Sequence, residues 1–364
     1  MMFKSLSNIQ NFSQKIRFFI ILTLFHSLAN CKSTPLENLS STVSEKIEGS
    51  TQLTFSGNNR FPNSNSQFNK VLFASSSRLV HKNFQIYELN LNNNTEDRIT
   101  YNDGVNLDPK YSPDEKVIYF QSTSDEQKDF PEKLFTSEYN FTPQKFWNFE
   151  NSNLFLNSEI YYYLISDKIT PPQRLTQRLG FDGFVNPVDM INSSWISKSK
   201  DQFIITSNNL KTKKSIPFFT QTMPIWKPQW VEHSKQWFWI SWTTKNPIPT
   251  LFNFDLSKKG TSPINLNLPQ GNYHDFFVLN NLMIISAKLA NDVDYEIYIY
   301  QFESKCLFKY FSHKGDEVDG HLNFSDKLNR MNILFSSRKD SDINTPFQIY
   351  KAEYAQPQTP TCLK

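Results

Sequence analysis

The chain has 364 residues and a formal net charge of +3; 15% of it is aromatic, with 33 Phe and 15 Tyr against only 9 Gly. Aromatics at that density must be buried, which excludes disorder over most of the length, and so few glycines exclude collagen-like or Gly/Pro low-complexity chains. Three Cys cannot build a disulfide scaffold, and the mild charge does not point to nucleic acid as a partner. Short strands whose turns are made by Asn and Asp fit this balance, because both residues tolerate the left-handed region.

At the N-terminus, Lys4, Lys15 and Arg17 precede a mostly apolar stretch from Phe18 to Ala29. Twelve residues are too few for a bilayer, which needs roughly 20, and fit the apolar region of a secretory signal. Leu28-Ala29-Asn30-Cys31 follows, then the polar Lys32-Ser33-Thr34-Pro35. This resembles a bacterial lipobox, although Asn30 departs from the usual Gly or Ala before the Cys. The resemblance implies a signal peptide over 1–30, a lipid on Cys31 and a place in the bacterial cell envelope, periplasmic or at the surface. Lys32 is not the Asp that resembles an inner-membrane retention signal, which favours the outer membrane. The alternatives are an uncleaved signal anchor and a secreted protein with Cys31 incidental. Residues 31–50, rich in Ser, Thr and Glu, read as a flexible tether.

Four elements then recur in the same order. The first is an apolar run, often ending in Ser: Lys70–Ser76, Lys116–Ser122, Asp201–Ser207, Gln236–Trp242, Leu282–Lys288 and Arg330–Ser337. The second carries an Ile-Tyr pair in four of five copies: Phe84–Leu91, Glu159–Ile165, Thr250–Leu256, Tyr295–Phe302 and Phe347–Tyr354, with Ile216–Thr222 a weaker one. The third is Arg-[Ile/Leu]-Thr before an Asp-Gly turn: Arg98-Ile99-Thr100 before Asp103-Gly104 and Arg174-Leu175-Thr176 before Asp182-Gly183. Gln52-Leu53-Thr54 and Phe308–Phe311 before Asp319-Gly320 are looser copies. The fourth is an x-Pro step at Phe61-Pro62, Asp108-Pro109, Asn186-Pro187 and Lys227-Pro228, with His274 and His321 in that place in the last two units.

Four short strands recurring every 34 to 50 residues predict an all-β fold, a β-propeller, and six copies predict six blades. One interval, Val117 to Phe203, spans 86 residues and holds an aromatic insertion at about 124–157. The last blade lacks a fourth strand after Tyr354, and Thr51–Phe55 is expected to supply it, closing the ring and removing open edges. The propeller then covers 51–356, leaving a tail at 357–364. Two stacked sandwiches would not explain a fixed order of four elements.

Residues 98–122 carry the sharpest resemblance. Tyr111, Ser112, Pro113, Asp114, Lys116, Ile118, Phe120 and Ser122 are similar to the TolB-type propeller repeat, also called the WD40-like or PD40 repeat. Glu115 stands where that repeat has a turn Gly. Phe335–Asp340 with Gln348-Ile349-Tyr350 resembles another part of it. The resemblance implies a six-bladed propeller that binds partner proteins at its funnel. TolB-type proteins also carry an α/β domain before the propeller, whereas here the repeats begin about twenty residues after Cys31.

No nucleophile elbow, P-loop, GxGxxG or His-Glu-x-x-His is present, so no catalytic residue, cofactor or metal is assigned. The x-Pro register places Asp108, Asn186, Lys227, His274 and His321 in a ring at the channel mouth. Two His and a carboxylate make a set able to hold a metal; a wet pore mouth and a contact surface for a peptide or glycan are the other readings. Asp292 and Asp294 read as a solvated turn. Trp226, Trp230, Trp237, Trp239 and Trp242 read as core or as a sugar-stacking platform. The insertion, with Phe130, Phe135, Tyr139, Phe141, Phe146, Trp147, Phe149 and Phe155, either caps a face or binds a partner. Cys306 and Cys362 either pair or remain thiols. The reading is a non-catalytic envelope lipoprotein that binds a protein or peptidoglycan-associated partner. The alternative is a carbohydrate-active enzyme, a lyase or glycosidase, with its site in the channel; the ring's single carboxylate, Asp108, falls short of the pair a glycosidase needs.

Overall fold

The computed structural model describes residues 49–124 and 158–363, apart from short stretches at 168, 178–179, 190–191, 200–201, 210, 213, 243–248, 256–263, 326–329, 339–341, 343 and 356–360. The signal peptide, Cys31, the tether up to Glu48 and the insertion from Asp125 to Asn157 lie outside the described residues. Strand β1 (Ser50–Gln52) comes first. The first blade is β2 (Asn58–Ser64), β3 (Lys70–Ser76), β4 (Gln85–Asn90) and β5 (Thr95–Arg98). The second is β6 (Asn106–Tyr111), β7 (Val117–Ser122), β8 (Glu159–Leu164) and β9 (Gln173–Arg174), and the third is β10 (Phe181–Pro187), β11 (Asn192–Ser199), β12 (Gln202–Asn209) and β13 (Lys214–Gln221). The fourth holds β14 (Trp226–Val231), β15 (Gln236–Ser241), β16 (Thr250–Asp255) and β17 (Ile264–Asn265). The fifth holds β18 (Gly271–Leu279), β19 (Leu282–Leu289), β20 (Glu296–Gln301) and β21 (Cys306–Phe311). The sixth is β22 (Glu317–Ser325), β23 (Arg330–Ser337) and β24 (Gln348–Glu353). Each blade is a four-stranded antiparallel sheet; in the sixth, β1 is the fourth strand and pairs with β24 from Ser50↔Ala352 to Gln52↔Tyr350.

Second strands are covered on both sides by neighbouring blades, so they read as continuous apolar runs. Val71, Leu72, Phe73 and Ala74 of β3 are fully buried, as are Ile333, Leu334 and Phe335 of β23. Four of the clustered Trp residues, Trp226, Trp237, Trp239 and Trp242, are buried in the largest core cluster, and Trp230 packs on its edge. Among the described residues no helix is long and apolar enough to cross a membrane.

The third blade corrects the repeat alignment. Gln202–Asn209 is its third strand, not its second; the second is Asn192–Ser199, and the outer one is Lys214–Gln221. The missed strand reads as polar because Ser193, Ser194 and Ser197 are buried with their backbones in the ladder. Two Asp-Gly steps are also not turns. Asp182-Gly183 lies within β10 and Asp319-Gly320 within β22. Their glycines allow close approach: a Cβ on Gly183 would come 2.4 Å from Gln121, and one on Gly320 would come 2.8 Å from Ile284. Asp292 is not solvated either. Its carboxylate accepts the Leu289 N–H at 2.8 Å and pairs with Lys309 at 2.6 Å.

The Arg-x-Thr element has a structural cause. Thr100 Oγ1 accepts the Ile86 N–H at 2.9 Å and donates to Gln85 Oε1 at 2.8 Å, while Arg98 Nε reaches the Thr100 carbonyl at 2.6 Å. In the second blade Thr176 does the same for the Ile160 N–H at 2.9 Å and Glu159, with Arg174 on the Thr176 carbonyl. Across the seam, Thr54 accepts the Ile349 N–H at 2.9 Å and donates to Gln348 at 2.9 Å. Where the outer strand ends, this clamp satisfies backbone that the ladder no longer reaches.

Cys306 and Cys362 form a disulfide, with Cα atoms 5.1 Å apart. Beside it the Leu363 N–H bonds the Leu307 carbonyl at 2.7 Å, so the C-terminal residues add to the edge of the fifth blade.

Candidate binding site at the channel mouth

All six innermost strands shift register near their middle, leaving a β-bulge. In five of them a residue at the bulge takes the left-handed conformation: Phe61, Asp108, Phe184, Lys227 and Asp319, with φ between 47° and 57°. In the remaining strand, β18 of the fifth blade, His274 is the skipped residue. Pro62, Pro109 and Pro228 follow directly, where the ladder is interrupted and an N–H is not required. That is the origin of the x-Pro signature. Three of the ring residues, Asp108, Lys227 and His274, stand at the bulge. Asn186 and His321 stand two residues further along their strands, so Phe184 and Asp319 are the bulge equivalents in those blades.

The bulges gather charge. Arg60 Nε lies 2.5 Å from Asp319 Oδ2. Lys227 Nζ lies 2.6 Å from Asp275 and 3.3 Å from Asp319. The Phe61 N–H and Ser336 hydroxyl also donate to Asp319, at 3.1 and 3.2 Å. Lys227 stands 4.7 Å from the centre of the Phe61 ring. Lys110 Nζ is 3.2 Å from Asp108 Oδ2. The network joins blades one, four, five and six, and so crosses the channel at this level.

Burial and charge set the protonation states. Burial alone would raise the Asp319 pKa, but Arg60 and Lys227 hold it well below the usual carboxylate range. Burial pushes Asp275 up to about 6, against the pull of Lys227. Burial opposes the charge on Lys227, yet Asp275, Asp319 and Asp108 raise its pKa. His274, 2% exposed, is driven well below its usual value by burial and is neutral. Its Nε2 lies 3.5 Å from Arg60 Nη2, and its ring meets Tyr295 edge-on. Burial, then Lys110, brings His321 down to about 3; its ring centre is 4.2 Å from that of Phe277.

Above the network opens a cavity of about 400 Å³ walled by residues of all six innermost strands, among them Phe61, Asp108, Asn186, Lys227, Asp275 and His321. His274 is not in its wall and lies in the buried layer. A larger cavity, about 890 Å³, sits between the outer parts of blades one and two, beside Arg98, Tyr101 and Tyr163 and away from the ring.

The sequence reading drew its metal set from His274, His321 and the ring carboxylate Asp108; the structure brings a different set together. His274, Asp275 and Asp319 offer ligand atoms within 4.8 Å of one another. Yet the Lys227 ammonium already bridges both carboxylates, and Arg60 takes Asp319 and faces His274. A divalent ion would have to displace Lys227, so the set does not fit a metal while that side chain is in place. The sequence reading missed Arg60, Asp275 and Asp319. The first two sit beside Phe61 and His274; Asp319 was hidden in an Asp-Gly step read as a turn.

No family model matches the chain, and no curated protein matches it. Among solved structures it is similar to a putative TolB from Agrobacterium tumefaciens, with TM-score 0.52 and 10% identity over 82% of this chain and 91% of that one. It is similar to TolB from Acinetobacter baumannii, with TM-score 0.52 and 12% identity over 83% of this chain and 65% of that one. Hydrazine synthase of Kuenenia stuttgartiensis matches at TM-score 0.53 and 12% identity over 70% of this chain and 39% of that one. At these identities the likeness is one of fold alone, a six-bladed β-propeller.

Proposed function

We propose that the chain is an envelope lipoprotein, anchored through Cys31, whose propeller is a non-catalytic binding module engaging a protein or peptidoglycan-associated partner at the channel mouth. In this reading β1 closes the ring, 1–30 is removed on export, and Asp108, Asn186, Lys227 and His321 line the contact surface over a layer containing His274. The observation that carries it is the ion network: each carboxylate at the pocket floor is held by a cation within 3.3 Å, which leaves no free acid and base pair for chemistry. The Cys306–Cys362 disulfide suits an oxidising compartment and so supports export. Partner binding and envelope location also agree with the TolB-like fold.

Asp275 favours the alternative, a carbohydrate-active enzyme, since a buried carboxyl pushed up to about 6 has the profile of a general acid. Crosslinking the lipidated protein in its native envelope, followed by capture, separates the two. Recovery of one specific partner, lost in an Asn186→Ala variant, supports the module. Turnover of a glycan that Asp275→Asn abolishes supports the enzyme.

A further inference from the structure

We infer that the cavity between blades one and two is a second binding site, one that takes a single carboxylate carried on an apolar body. It lies apart from the channel mouth and does not depend on what binds there.

Two copies of one clamp make the case. Arg98 faces Tyr87 across the ladder of the first blade, and Arg174 faces Tyr161 in the second. Each donates through Nε to the carbonyl of the Thr two residues on, at 2.6 and 2.7 Å. The copies part at the residue that opens the third strand. In the second blade it is Glu159, whose carboxylate takes Arg174 Nη2 at 2.5 Å. In the first it is Gln85, a neutral side chain committed elsewhere. It accepts the Thr100 hydroxyl at 2.8 Å and donates to the Asn102 and Gly104 carbonyls, both at 3.0 Å. Arg98 thus keeps the arginine and loses the carboxylate. Among the described residues neither of its Nη groups donates a hydrogen bond, and no carboxylate pairs with it.

The unused edge of Arg98 is held still. Its Nε is fixed by Thr100, and its guanidinium lies 4.6 Å from the centre of the Tyr101 ring. A planar fork of this kind matches a carboxylate with two parallel bonds. Beside it the cavity, about 890 Å³, has room for a ligand body, and Ile99, Tyr163, Ile165 and Pro171 give it apolar walls. Tyr101 and Ile169, also in the wall, are 73% and 95% exposed.

Charge selects among ligands. The wall holds Lys70 and Arg98 against Glu88, Asp97 and Asp103. Lys70 and Glu88 pair at 2.7 Å, and the Tyr111 hydroxyl donates to the other Glu88 oxygen at 2.8 Å. Asp97 and Asp103 are exposed, where water and salt screen them. What remains is one partly buried cation bordered by two hydrated acids. A cationic ligand would meet Arg98 and gain only those hydrated acids. A dianionic phosphate would meet the same acids with twice the charge. A carboxylate needs one cation and finds it.

The test is saturation-transfer NMR on the full chain with its disulfide formed, using N-acetylphenylalanine, its carboxamide and phenyl phosphate as probes. The expected result is a signal from the acid that falls at least tenfold with the amide and with phenyl phosphate. Arg98→Gln should remove the acid signal to the same extent. Gln85→Glu rebuilds the second blade's pair in the first and should do so with Arg98 still present, while circular dichroism and the melting temperature establish that both variants fold. A peptide ending in Phe with a free C-terminus is then added as competitor. Displacement assigns the site to a polypeptide end and failure to displace assigns it to a small acid; either source upholds the inference. No signal from the acid, an equal one from the amide, a stronger one from phenyl phosphate, or an acid signal that survives Arg98→Gln overturns it. None of these results bears on capture of a partner at the channel mouth.

Discussion

Arg60 of the first blade and Asp319 of the last are 259 residues apart in the chain, yet guanidinium and carboxylate meet at 2.5 Å with side chains 3% and 2% exposed. This pair spans the junction between the blade that begins the ring and the blade that ends it. Asp319→Asn leaves Arg60 and Lys227 facing Asp275 alone in a buried site. The expected loss is about 3–5 kcal/mol, read from equilibrium urea unfolding. Arg60→Met combined with Asp319→Leu, which removes both charges, should lose less than the sum of the two single changes.

Thr100 holds a buried N–H and a glutamine at once. Thr100→Val keeps the shape and removes both bonds, leaving buried polar groups unsatisfied. It should cost about 1–3 kcal/mol, and amide exchange at Ile86 should rise above that of the neighbouring β4 amides. An unchanged rate at Ile86 would remove the clamp as the cause of the Arg-x-Thr signature.

The disulfide closes a separation of 56 residues. By the chain-entropy account such a loop contributes up to about 4 kcal/mol. Cys362→Ser should lower the midpoint of thermal unfolding relative to the oxidised protein. Adding reductant to the oxidised protein should reproduce the shift, and adding it to the variant should do nothing.

Glu317 is fully buried, and Glu296 acts on it as a second acidic group. Ser337 donates to Glu317 at 3.2 Å, His313 Nδ1 stands 3.8 Å away, and Lys309 approaches Glu296 at 3.6 Å. Burial first, then Glu296, pushes the Glu317 pKa up to about 10 from 4.5. Between those values the folded chain holds a proton that the unfolded chain has released, so stability falls as pH rises across that window. Glu317→Gln should flatten this slope and raise the melting temperature at pH 8 by about 2–4 °C, equivalent to about 1 kcal/mol. A variant with an unaltered pH slope would count against a proton held on Glu317.

Much of the fold was legible because propeller strands repeat their burial. Five of the six apolar runs coincide with second strands, and all five Ile-Tyr or related runs with third strands. The third blade was not, since the Ser-rich Asn192–Ser199 gives up apolarity for hydrogen bonds such as that from Ser194 Oγ to the Asn186 carbonyl at 3.3 Å. The site was legible only in part. Asp108, Lys227 and His274 share the bulge position, but pairing across blades depends on bulge geometry, so the partners Arg60, Asp275 and Asp319 did not announce themselves. The lipid anchor and the aromatic insertion remain sequence readings.

The pairing of β1 with β24 also decides how the molecule carries a load. Any pull on the N-terminal residues reaches the propeller through a ladder of three residue pairs, Ser50↔Ala352, Thr51↔Lys351 and Gln52↔Tyr350, reinforced by Thr54 on Ile349 and Gln348. That ladder lies at the outer rim of the sixth blade, while Asp319 and His321 lie on its innermost strand. Tension on that segment is therefore expected to load the outer rim before the strand that carries Asp319 and His321. That ladder and the channel-mouth cavity sit at opposite edges of the same sheet, with β23 between β24 and β22.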